Sequence, residues 1–192
     1  MNPTDNPDFN EARAAIARIE PWADLASTTV IERLGGLTNR VYRLGEEPRA
    51  VVLRLPGKGT EAYIDRAAEA VNARAAADAG VAPRVLHFGT DGVMLTEYIP
   101  DAVTMSPEAF ATREGAVERT ARALRRLHDR SAPFAGRFEL FAMIDDYLKL
   151  LADLGATLPE GYHDVVTEAG TVRAALDADP VPLVACHCDP LC

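Results

Sequence analysis

An α+β chain of two lobes is the fold class that the sequence predicts, on three observations. Five short apolar or β-branched runs occupy the first hundred residues, with one helical stretch inserted after the third. Pro100-Asp101 then opens a linker. Beyond it, apolar residues recur mostly at helical spacing. The expected division is a sheet lobe over 1–97, a hinge over 98–105 and an incomplete helical lobe over 106–192.

Each element has its own signal. Asp8 to Glu20 has helical character and is closed by Pro21. Thr28 to Leu34 is β-branched and apolar until Gly35-Gly36 breaks it. Val41 to Leu44 resumes strand character, Glu46-Glu47-Pro48 reads as a turn, and Ala50 to Leu55 reads as a buried strand. Ile64, Ala68, Val71, Ala75 and Ala79 then fall on one helical face, stopped by Gly80 and Pro83. Arg84 to Phe88 and Val93 to Thr96 are two more strands around a Gly89-Thr90-Asp91-Gly92 turn. The five strands form one antiparallel sheet in this reading. Ser106 caps, and Pro107 begins, a long helix expected to run to Asp129 with Phe110, Val117, Ala121, Leu124 and Leu127 as its stripe. Helices near Ile144 to Leu154 and Gly161 to Leu176 follow, then an apolar strand from Val181 to Ala185.

The 192 residues carry a formal charge of −9, with 48% hydrophobic and 26% charged side chains. That is globular composition. It lacks the basic footprint of a nucleic-acid-binding surface. No apolar run nears the roughly 20 residues of a membrane helix. The start, MNPTDNPDFNEAR, has neither the basic segment nor the apolar stretch of a signal peptide. Cys186, Cys188 and Cys192 crowd into the last seven residues, where they cannot staple a fold from end to end. A cytoplasmic setting is expected, with no nucleic-acid or membrane partner. Oligomeric state is left open.

Five local patterns can carry chemistry. The ending Val184-Ala185-Cys186-His187-Cys188-Asp189 delivers a His-x-Asp at the exit of the last apolar run. An Asp so placed can orient a hydroxyl and accept its proton while the His braces the loop. Taken alone, it is equally a loop histidine and an exposed aspartate. Gly35, Gly36, Thr38 and Asn39, between two strands, let the backbone approach a phosphate. Alone, they also fit a plain glycine turn. Arg54 interrupts the apolar strand Val51-Val52-Leu53-Arg54-Leu55, where a charge is costly unless paired or at a surface. Glu69, at the flank of the following helix's apolar stripe, is the candidate partner. Glu97, Tyr98 and Ile99, at the end of a strand, can offer backbone groups to an adenine edge. Leu124 to His128 ends the long helix with a cation near its C-terminus, a structural role. Zinc is a further reading of Cys186, His187, Cys188 and Cys192, although structural zinc sites normally use widely separated ligand pairs.

In their order and spacing these patterns resemble the kinase-like small-molecule phosphotransferases, which include choline/ethanolamine kinases, thiamine kinase and aminoglycoside phosphotransferases. The resemblance covers about Val30 to Cys192. It implies a protein-kinase-like two-lobed fold, ATP and Mg2+ as cofactors, and transfer of the γ-phosphate to the hydroxyl of a small molecule. On it, Gly35, Gly36, Thr38 and Asn39 match the phosphate-covering turn. Arg54 and Glu69 match the basic residue of the third strand and its helix partner. Glu97, Tyr98 and Ile99 match the hinge that faces adenine. His187 and Asp189 match the start of the catalytic loop, with Asp189 as base. An arginine at position 54, with the stretch Asn72 to Pro83, is most similar to the bacterial choline kinase-like branch. That makes choline or a related amino alcohol the expected acceptor, with aminoglycoside or thiamine kinase-like activity as the alternative.

The pattern H-x-D-x-x-x-x-N would place its asparagine two residues past Cys192, with the metal-binding aspartate further on. No metal ligand is therefore assigned, and the 192-residue chain is expected to be a fragment with little or no turnover. A non-catalytic nucleotide-binding or interaction module is the competing expectation.

Overall fold

A computed structural model describes residues 7–36, 38–60 and 64–190, with side chains described from Phe9 onward. Five strands carry the N-terminal half: β1 (Ile31–Gly35), β2 (Arg40–Leu44), β3 (Val51–Leu55), β4 (Val85–Phe88) and β5 (Met94–Glu97). They form one antiparallel sheet, as expected, in the order β1-β2-β3-β5-β4, with β5 rather than β4 beside β3. The turn after β2 is closed by Arg49 N–H donating to the Glu46 carbonyl at 2.9 Å.

Alternation along β3 gives the sheet two different faces. Val51, Leu53 and Leu55 point into the core, beside Tyr42 and Leu44 of β2 and Leu95 of β5. Helix α1 (Pro7–Ile16) covers that face with Ala12, Ala15 and Ile16, and Ile19 and Leu25 close it. Tyr42 is fully buried, edge-on to Phe9 with ring centroids 6.2 Å apart. Arg33 Nη1 donates to its hydroxyl at 3.2 Å, so the buried polar tip has a partner. Arg43, Val52, Arg54, Met94 and Thr96 occupy the other face by the same register.

Helix α1 stops four residues earlier than the expected Glu20. Arg18 and Ile19 turn to i−3 bonds, on the carbonyls of Ala15 and Ile16, and so deliver Ile19 to the core ahead of the Glu20-Pro21 step. A residue before proline disfavours helical backbone, which explains the early exit. Helix α2 (Arg66–Asp78) starts at Asp65, whose carboxylate accepts from the N–H groups of Ala67 and Ala68 at 2.9 and 3.0 Å. It ends at Gly80, whose φ of 71° permits the bonds from Gly80 N–H to Ala77 and from Val81 N–H to Ala76. It lies against β4. Of the expected stripe Ala75 is buried, but Val71 is 48% exposed.

Two expectations for the C-terminal half are corrected. The single helix over Pro107 to Asp129 is two, α3 (Pro107–Thr112) and α4 (Ala116–Arg130). Arg113 turns extended and Gly115 takes a left-handed φ of 68°, which breaks the ladder. Its stripe is correspondingly altered: Leu127 is buried, whereas Val117 is 65% exposed. Residues Val181 to Ala185 form no strand, because no neighbouring strand pairs with them among the described residues. Helices α5 (Leu140–Asp153) and α6 (Tyr162–Ala178) form as expected, each slightly longer than predicted.

By its internal contacts the chain divides into two units, Met1–Ala135 with Ala185–Cys192, and Gly136–Val184. The second unit holds α5 and α6. Arg173 there bonds Asp145 at 2.9 Å and lies 5.7 Å from the Phe141 ring centroid. Among the described residues no helix is long and apolar enough to cross a membrane.

Leu53→Ala should cost about 2–5 kcal/mol in denaturant unfolding, as expected for a fully buried leucine, and Val117→Ala under about 0.5 kcal/mol. Hydrogen bonding from Arg40 holds the Glu11 carboxyl below its ordinary value, against desolvation. A lowered carboxylate contributes stability above its unfolded pKa and loses it as pH falls through the folded one. Glu11→Gln should remove that increment, below about 1 kcal/mol because the pair is half-exposed, leaving a flatter acid limb in pH-dependent melts.

Candidate functional site

Arg54 is the fourth residue of β3 and leaves the sheet on the face opposite the core. Its Nη2 stands 2.6 Å from Glu69 Oε1, with both side chains mostly buried at 18% and 23% exposure. The carboxylate comes from the first turn of α2. It is shared, since Arg66 Nη1 donates to Glu69 Oε2 at 2.8 Å. The guanidinium of Arg54 also lies 5.7 Å from the Phe88 ring centroid. Among the described residues its Nε and Nη2 are buried without an aligned hydrogen-bond acceptor, so the contact with Glu69 is a close ion pair with donor capacity left over.

Gly35 ends β1 with φ 114°, and Gly36 continues with φ 99°. A Cβ at Gly36 would stand 2.1 Å from the Asn39 carbonyl oxygen, so no other residue fits this turn unchanged. A Cβ at Gly35 would meet nothing within 4 Å, and that side of the turn is open. Thr38 is exposed. The Asn39 side chain is not free for a ligand, because Oδ1 accepts from Gly57 N–H at 3.2 Å. Leu37 of this turn, and Cys192, lie outside the described residues.

Glu97 ends β5, and its carboxylate accepts from Arg84 N–H at 3.1 Å while Arg84 Nε approaches at 3.4 Å. The side chain therefore fastens β5 to the start of β4 and leaves the backbone of 97–99 as the part able to meet a ligand. Tyr98 lies under the guanidinium of Arg43, 4.3 Å from its ring centroid, and Ile99 is exposed. At the other end, Asp189 N–H donates to His187 Nδ1 at 3.3 Å across Cys188, whose φ of 64° is unusual for a residue with a side chain. His187 thus lies against the tight bend that carries Asp189. Both are exposed, and neither bonds Arg54 or Glu69 among the described residues. His128 is exposed in the last turn of α4.

Sequence reasoning missed Arg66, Thr60, Gly57 and Arg43. Arg66 was findable as a cation three residues before Glu69, and Arg43 as the residue that strand alternation puts on the Arg54 face. Among the described residues no three His, Cys, Asp or Glu side chains are grouped to hold a metal ion. The described residues do not by themselves make a site for Mg2+.

Gly36→Ala should destabilise the chain by about 1–3 kcal/mol, the scale of a strained backbone position. Denaturant melts of the variant beside Thr38→Ala, expected to be near neutral, check it.

The model of the phosphotransferase enzyme family matches residues 29–191. A human choline/ethanolamine kinase is 31% identical over 170 residues, covering 81% of this chain and 42% of its own length. The crystal structure of a choline/ethanolamine kinase family protein from Mesorhizobium loti is similar with a TM-score of 0.80 and 57% identity, covering 96% of this chain and 59% of that one. The choline kinase LicA from Streptococcus pneumoniae, solved in complex with AMP, gives a TM-score of 0.68 and 26% identity over 83% of this chain and 54% of that one. The chain spans less than half the length of the human relative. Its five-stranded antiparallel sheet with attached helices is the choline kinase-like, protein-kinase-like fold. With the family model spanning all but the first 28 and the last residue, the chain belongs to the phosphotransferase enzyme family.

Proposed function

We propose that this chain carries the nucleotide side and the catalytic base of a kinase that phosphorylates a small alcohol, choline or a related amino alcohol. The Arg54–Glu69 pair carries the proposal. A guanidinium held by a carboxylate at 2.6 Å, with buried N–H groups left unmatched, is a ready partner for phosphate oxygens. The open side of the turn at Gly35, beyond which Thr38 is exposed, is suited to cover those phosphates. The backbone of Glu97, Tyr98 and Ile99 would meet the adenine edge, in keeping with the AMP complex of the Streptococcus relative.

ATP supplies the phosphoryl group when bound. Asp189 orients the acceptor hydroxyl and takes its proton as the oxygen bonds to the γ-phosphorus, and ADP leaves with the β–γ bridging oxygen. His187, bonded to the Asp189 amide, keeps that carboxylate in place. The lobes proposed for this work are 1–97 and 106–192 with a hinge at 98–105. A cytoplasmic setting belongs to the same proposal, supported by the free thiols of Cys186 and Cys188. Choline and ethanolamine are favoured because the human relative is a choline/ethanolamine kinase and the Streptococcus relative a choline kinase.

The test is ADP release by a form extended to the relatives' length, offered choline, ethanolamine, thiamine and an aminoglycoside in turn. Turnover is expected with choline or ethanolamine, and Asp189→Asn should lower kcat by about 10²–10⁴-fold, the range of a lost general base. The 192-residue chain alone should bind nucleotide with little turnover. Absence of ADP release with every alcohol, with nucleotide still bound, would favour the non-catalytic binding module.

A further inference from the structure

The carboxylate of Glu69 is held from two sides, and the second side leads away from Arg54. Arg66 takes Oε2 with Nη1, and its other terminal nitrogen, Nη2, donates to Thr60 Oγ1. Thr60 is a polar residue at 2% exposure, and its hydroxyl donates to the Gly57 carbonyl at 2.8 Å. Gly57 N–H in turn donates to Asn39 Oδ1 at 3.2 Å. Asn39 is the last residue of the glycine turn, and its carbonyl is the atom against which Gly36 is seated. A continuous series of bonds therefore runs from Arg54 through Glu69, Arg66, Thr60 and Gly57 to Asn39.

Two glycines make room for it. A Cβ at Gly57 would fall 2.6 Å from the Thr38 carbonyl oxygen, so the segment after β3 lies directly against the turn. A Cβ at Gly92 would fall 2.7 Å from Arg66 Nε, so the β4–β5 turn leaves the slot in which the guanidinium lies. Arg66 is only 12% exposed there, and its Nε has no acceptor among the described residues. A cation with an alternative in water would not be kept so; its position is set by the two oxygens that it joins. The Thr60 hydroxyl is likewise committed, donating to one backbone oxygen and accepting from Arg66.

We propose that Arg66 and Thr60 are positioning residues that couple the glycine turn to the Arg54–Glu69 pair, so that turn and cation take their nucleotide-ready places together. The coupling rests on the functional reading above for its purpose, but not for its existence. Neither residue touches the nucleotide in this scheme. Thr60 acts on the turn through Gly57 and Asn39, and Arg66 acts on Arg54 through Glu69.

Hydrogen exchange and ADP titration of the 192-residue chain test this together. Thr60→Val keeps the shape and removes the hydroxyl, Thr60→Ser restores it, and Arg66→Met removes the cation. The amides of Gly57 and of 38–41 should exchange about tenfold faster in Thr60→Val and Arg66→Met, the loss expected for one hydrogen bond, with protection of the β3 amides kept. Thr60→Ser should return them to the wild-type rate. ADP affinity should fall by about three- to tenfold in the same two variants and recover in Thr60→Ser. Unchanged exchange at Gly57 and at the turn in folded Thr60→Val and Arg66→Met would overturn the coupling, whatever the nucleotide does. Faster exchange in the two variants, together with a wild-type chain that does not bind ADP, would instead uphold the coupling and sink the functional reading. Uniformly faster exchange across the sheet, not rescued by serine, would mark Thr60 as a plain packing residue and also overturn it.

Discussion

A guanidinium in the middle of an apolar strand has to be answered by a counter-charge. Arg54 stands among Val51, Leu53 and Leu55, so its own strand offers it none. Leaving it unpaired near the protein interior would cost several kcal/mol, roughly the whole margin by which a small domain is stable. The answering carboxylate arrives from the first turn of α2. Asp65 caps the helix one residue before Arg66 and four before Glu69, which puts both side chains on the first turn.

The two faces of the sheet divide the labour. On one, aliphatic residues and Tyr42 are sealed by α1 and need no polar partners beyond the Arg33 contact. On the other, Arg43, Arg54 and Thr96 keep polar groups next to the glycine turn and the Glu97–Ile99 segment. The strand period of two is the cause: inserting or losing one residue would exchange the faces and bury the cations in the aliphatic core. Glu97 and Asn39 show how little of this polar face is idle. Each spends its side chain on a neighbouring backbone amide, which stiffens the segment whose backbone faces the site.

The C-terminal half illustrates where local pattern is insufficient. A period of 3.6 runs across Pro107 to Asp129, but Gly115 in a left-handed conformation divides it, a backbone state that glycine enters without steric cost. Val181 to Ala185 has strand composition, but a strand is made by its neighbour, and none of the described strands pairs with it. His187 and Asp189 are joined by a three-residue bend whose left-handed Cys188 no composition rule would single out.

Short-range rules made much of this protein legible from its sequence. The five strands, the cap at Ser106, the Gly80 stop and the glycine turn all follow from periodicity and from backbone freedom, which are properties of neighbouring residues. The pairing of Arg54 with Glu69 could be foreseen as a need, because an unpaired charge in that strand is costly. What only the tertiary structure decided is the company those two residues keep. Arg66, Thr60 and Gly57 meet Glu69 and Asn39 because the segment after β3 folds back against the glycine turn, a contact that no sequence period encodes. Close approach between distant backbone segments depends on how whole elements pack, and that is settled in three dimensions.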